Sequence, residues 1–117
     1  MAEADGIMLS ARDRVIVRRV LEPFSAQIDR VAVFGSRALG TARPASDIDL
    51  VFWGSLDDLA LAQLGTRFLD SGLAVTVDAV IYNSDLPPAF RRHLDAVARP
   101  LFEHDDLVTG AVTPRQQ

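Results

Sequence analysis

The chain has 117 residues, is 49% hydrophobic and 24% charged, and carries a net charge of −4, which suits one compact domain with a real core and excludes a disordered chain. It contains no cysteine, which removes disulfide frameworks, thiolate metal centres and cysteine nucleophiles, and no lysine, which removes a lysine-adenylate intermediate of the ligase type. An acidic chain is also a poor non-specific match for a phosphate backbone, so no direct stable nucleic-acid binding is expected.

Residues 1–9 are small and acidic and read as a flexible tail, without the basic and apolar segments of a signal peptide. No apolar run approaches the ~20 residues of a membrane span, so a cytoplasmic protein is expected. Ser10 offers a helix N-cap with Asp13 three residues on. Ile16, Val17, Val20, Leu21 and Phe24 then form an apolar stripe that Pro23 ends or bends, while Arg18 and Arg19 fall on the solvated side. Val31–Phe34 reads as a first strand, apolar on both faces. A turn-rich link, 40–46, leads to a second strand, Ile48–Trp53. Ser55 can cap the next helix, with Asp57 and Asp58 in its first turn, Leu56, Leu59, Ala60, Leu64, Phe68 and Leu69 on its buried face, and Gly72 as its stop. Ala74–Ile81 reads as a third strand, and Asn83–Pro87 as a loop. Pro88 opens a last helix whose stripe is Phe90, Leu94, Val97 and Leu101. Residues 105–117 read as a second tail, so the expected domain spans 10–104.

The chemistry concentrates between Val31 and Trp53. Side chains alternate along a strand, so Asp47, Asp49 and Val51 share one face while Ile48, Leu50 and Phe52 share the other. Two carboxylates side by side repel unless a proton or cation intervenes, and a divalent metal with oxygen ligands answers that need. Gly35-Ser36 follows an apolar strand and opens a helical turn, where backbone N–H groups bind phosphate oxygens and glycine allows close approach. A phosphate cradle beside paired carboxylates is the equipment of phosphoryl or nucleotidyl transfer. Asp78 repeats the pattern, one carboxylate on an otherwise apolar strand. The bland alternative makes these acids solvent-facing strand ends and the Gly-Ser step an ordinary turn.

The run Phe34-Gly35-Ser36-Arg37-Ala38-Leu39-Gly40-Thr41-Ala42-Arg43-Pro44-Ala45-Ser46-Asp47-Ile48-Asp49-Leu50 resembles the DNA polymerase beta-like nucleotidyltransferases, in particular the minimal nucleotidyltransferase branch. Leu39 departs from it, since many members carry a basic residue there. The resemblance implies an α+β nucleotidyltransferase fold, a small mixed twisted sheet backed by helices on the face opposite the acids. It implies Asp47, Asp49 and Asp78 as catalytic residues around one or two Mg²⁺ ions, Asp78 lying nearest the attacking hydroxyl. It implies ATP as substrate, its phosphates on Gly35 and Ser36. Arg37 and Arg43 are candidate charge clamps, or equally solvated loop arginines; Ser46 is a candidate site contact, or a turn cap. The likeness further implies a HEPN-domain toxin as hetero-oligomeric partner, an RNase silenced by AMP transfer to a tyrosine, with this chain as its antitoxin. A non-catalytic antitoxin that neutralises by stoichiometric binding, and an enzyme acting on a small molecule such as an aminoglycoside, are the alternatives. Trp53, on the carboxylate face, suits rim packing better than base stacking, and His93 and His104 lack partners at ligand spacing.

Overall fold

The computed structural model describes residues 5–108. Its elements are α1 (Ala11–Leu21), a 3₁₀ segment (Glu22–Gln27), β1 (Ile28–Phe34), α2 (Ser36–Leu39), β2 (Ile48–Gly54), α3 (Asp58–Leu69), β3 (Val77–Ile81), α4 (Pro88–Val97), β4 (Arg99–Glu103) and α5 (His104–Val108). Ser10 caps α1 as its sequence predicts, its hydroxyl accepting from the Asp13 N–H at 3.1 Å. Pro23 sits where α1 tightens into the 3₁₀ segment. The cap of α3 is Asp57 rather than Ser55: the Asp57 carboxylate accepts from the Ala60 N–H at 2.8 Å, whereas the Ser55 N–H donates to the Gln27 carbonyl.

Four strands form one mixed sheet in the order β3-β2-β1-β4. β1 is antiparallel to both β2 and β4, and β2 is parallel to β3. Val31, Val33, Ile48, Leu50 and Phe52 bury one face against Val17 and Leu21 of α1 and Leu64 and Phe68 of α3. Not all helices take that face, contrary to the sequence reading. α4 lies on the face that carries the carboxylates, its Leu94 packed with Ala32 and Val51 and flanked by Phe34, Val80 and Phe90. The topology explains this. β3 and β4 are opposite edges of the sheet, so the chain must cross it between them, and α3 already covers the other face. β4 itself interrupts the expected apolar stripe: Leu101 belongs to it, and Pro100 is tolerated because β4 is an edge strand.

Both expected tails begin further out. Ile7 and Leu9 are buried in the main core, as is Leu107 of α5. Too few apolar residues occur in either segment to show a periodicity, yet each fills the core edge. Residues 1–4 and 109–117, the remainder of the expected tails, lie outside the described residues. No helix among the described residues is long and apolar enough to cross a membrane.

Candidate active site

The parallel register of β2 and β3 sets Asp49 beside Asp78, and the antiparallel register of β1 and β2 sets Phe34 beside Asp49. Asp78, Asp49 and Phe34 thus form a row across three strands. Asp47 stands immediately before β2, two residues from Asp49. Asp49 is half-buried, whereas Asp47 and Asp78 are exposed. Burial pushes the Asp49 carboxyl above the ordinary carboxylate range, and the charges of Asp78 and Asp47 push it further; the Arg37 guanidinium opposes them. Asp49 therefore feels both of the other acids the sequence singles out. Among the described residues no three His, Cys, Asp or Glu side chains are drawn into a closed ion-binding cluster. The donor set is nevertheless of the chemical kind a hard divalent cation takes: carboxylate oxygens, one of them on a half-buried residue.

Gly35 joins β1 to α2 with φ of 69° and ψ of −155°. A Cβ at this position would overlap the Asp49 carboxylate oxygen. The backbone of the Gly-Ser step is thereby pressed against the central acid, a distance that only glycine permits. Ser36 opens α2, a single turn closed by Gly40 at φ of 82°. The first N–H groups of any helical turn lack partners within it, and those of α2 follow directly on Gly35.

The family model described as polymerase beta, nucleotidyltransferase matches residues 18–107. The chain belongs to the polymerase beta nucleotidyltransferase family. Three solved structures share the nucleotidyltransferase fold. The crystal structure of a toxin–antitoxin with AMP-PNP is 21% identical at a TM-score of 0.64, covering 83% of this chain and 82% of that one. A toxin–antitoxin MntA-HepT structure is 20% identical at a TM-score of 0.59, covering 80% and 73%. A mutant of that toxin–antitoxin with two aspartate-to-glutamate changes two positions apart is 22% identical at a TM-score of 0.62, covering 77% and 73%. No curated protein matches the sequence.

Within this nucleotidyltransferase the remaining candidates separate. Arg37 is only 7% exposed, and its guanidinium donates to main-chain carbonyls: Met8 at 2.8 Å, Ser46 at 2.7 Å, Asp47 at 3.3 Å and Pro44 at 3.4 Å. Arg37 is therefore not a solvated loop arginine, and its donors face the protein's own backbone. Ser46 is a turn cap: its hydroxyl accepts from the Arg43 N–H at 2.8 Å, and its N–H donates to the Arg43 carbonyl at 2.9 Å. Arg43 is exposed on the same loop and keeps its candidacy.

Trp53 is rim packing, as expected. It stacks on Tyr82 with centroids 5.1 Å apart and planes 25° apart, and the Arg30 guanidinium lies 4.2 Å from its ring centroid. His104 is structural, its Nδ1 within 3.0 Å of the Ser25 carbonyl and 3.1 Å of the Ile28 carbonyl. What the sequence pattern missed is the aromatic flank of the row. Phe34 meets Phe90 edge to face at 5.9 Å, and His93 stacks on Phe90 at 6.4 Å. Only the strand register and the placement of α4 reveal it, and neither is written in any local motif.

Proposed function

We propose that this nucleotidyltransferase moves AMP from ATP to a hydroxyl in a Mg²⁺-dependent reaction, and that the acceptor is a tyrosine of a HEPN-domain RNase toxin. The chain then acts as that toxin's antitoxin by modifying it. The observation that carries the reading is the register of Asp49 with Asp78 beside a glycine whose backbone abuts Asp49. The likeness to a toxin–antitoxin structure holding AMP-PNP supports the nucleotide, and the assemblies named in the similar structures support the partner. The aspartate pair changed in the similar mutant has the spacing of Asp47 and Asp49.

Asp47 and Asp49 would hold the cation, with Asp78 completing the set. When bound it would neutralise charge on the phosphates and lower the pKa of the acceptor hydroxyl. The chain's own residues do the rest. The turn at Gly35 and Ser36 orients the phosphates through backbone donors and a hydroxyl. Asp78, on the outer strand, faces the acceptor and accepts its proton. The acceptor oxygen forms a bond to the α-phosphorus, the bond to the β-phosphate oxygen breaks, and pyrophosphate leaves. In this reading the partner presents the acceptor hydroxyl to the site.

Intact-mass spectrometry of a co-expressed HEPN-domain partner, after incubation with this chain, ATP and Mg²⁺, tests the proposal. Mass gains in steps of one AMP, absent without Mg²⁺, are the expected result. A stable complex without any gain would replace the reading with neutralisation by stoichiometric binding.

A further inference from the structure

We propose that Arg37 is a positioning residue of the active site, whose guanidinium fixes the loop that delivers Asp47 to its place beside Asp49. This rests on the metal-holding reading of those acids. Residues 40–47 form no regular ladder between α2 and β2. Their course is instead defined by the guanidinium, whose Nη2 reaches the Ser46 and Pro44 carbonyls and whose Nε reaches that of Asp47. Three carbonyls within four residues leave the chain entering β2 little freedom of direction, and so fix the Cα of Asp47.

The other side of the clamp is equally defined. Nη1 donates to the Met8 carbonyl at 2.8 Å, and the Met8 N–H donates back to the Arg37 carbonyl at 2.8 Å. Ile7 and Leu9, on either side of Met8, are buried. The guanidinium thus ties the acid-bearing loop to an anchored segment of the core. Its planar fork of five donors suits carbonyls spread in different directions, whereas a lysine ammonium offers three donors from one point. A buried arginine spent in this way serves the site by geometry, through a residue it does not touch by side chain.

The test compares the parent with Arg37→Lys by three readouts: Mn²⁺ binding by electron paramagnetic resonance, AMP-PNP binding in EDTA by calorimetry, and amide hydrogen exchange. The expected result is a folded variant whose Mn²⁺ affinity falls by roughly 10- to 100-fold, as when an outer partner of a ligand is lost. Exchange quickens at 41–47 and stays slow in β1 and β2, and AMP-PNP affinity holds. Arg37→Gln, which keeps two donors, carries the same comparison if the lysine variant does not fold. Unchanged Mn²⁺ affinity in a folded variant overturns the inference. So does faster exchange throughout the core, which marks a role in stability alone. Loss of AMP-PNP binding with Mn²⁺ binding intact also overturns it, marking a direct phosphate contact. Asp47→Asn with Asp49→Asn is the control. If it binds Mn²⁺ like the parent, the metal assignment fails, and the loop exchange alone decides for or against Arg37.

Discussion

Gly35 and Asp49 are in such close apposition that the space a Cβ would need on one is held by the carboxylate of the other. The glycine is also at a positive φ of 69°, a region that L side chains rarely adopt. Gly35→Ala therefore meets two penalties, of about 1–3 kcal/mol in backbone strain and a forced shift of Asp49. The expected outcome is a folded protein, lowered in melting temperature, whose transfer rate falls by roughly 100-fold, since misplacing reacting groups by about 1 Å costs that much. Paired melting curves and steady-state rates check it.

Asp47→Asn with Asp49→Asn is expected to abolish transfer while leaving the far-ultraviolet circular dichroism unchanged. The metal-free double variant should melt higher than its parent, because a partly desolvated charge and its repulsions with neighbours are removed together. Full activity in the double variant would remove these acids from the mechanism.

The raised pKa of Asp49 has a defined pH signature. Its folded value lies above the reference of 3.8, so between the two the native state holds a proton that the unfolded chain has released. The metal-free protein should thus lose stability as pH rises from about 3.8 through the folded pKa of Asp49, and Asp49→Asn should flatten that slope. Urea melts of the metal-free parent and of Asp49→Asn across the acid range read the sign.

Leu9→Ala, in a stretch whose composition suggests a tail, is expected to cost about 2–5 kcal/mol, as for a buried leucine elsewhere. Leu69, like Leu59, is exposed rather than on the buried face of α3 that the periodicity predicts, and it supplies the contrast: Leu69→Ala should change stability by less than about 0.5 kcal/mol. Chemical denaturation of both variants decides whether residues 5–9 belong to the core.

The three acids and the Gly-Ser step stand out as candidates because their pattern is local: the two-residue spacing relates Asp47 to Asp49, and glycine before a helical turn is a motif of adjacent residues. The three strands around them were readable from apolar runs, although β1 starts at Ile28 and β3 at Val77 rather than where those runs suggest. What escaped the sequence depends on long-range placement. Asp57 rather than Ser55 caps α3 because the chain enters the helix two residues later. β4 was folded into a helical stripe because Leu101 fits the period of α4 by coincidence. The side of the sheet taken by α4 follows from strand order, which no window of sequence contains. For Arg37 the sequence leaves a charge clamp and a solvated loop arginine equally open; its burial among main-chain carbonyls, one of them from Met8, 29 positions away, is written in no local pattern.

The clasp between Arg37 and Met8 uses the N–H and C=O of Met8 and nothing of its thioether. It is consequently indifferent to the side chain at position 8, proline excepted, because proline has no N–H to give. Only one of its two bonds needs the guanidinium; the other joins main chain to main chain, so a substitution at position 37 halves the clasp and does not abolish it.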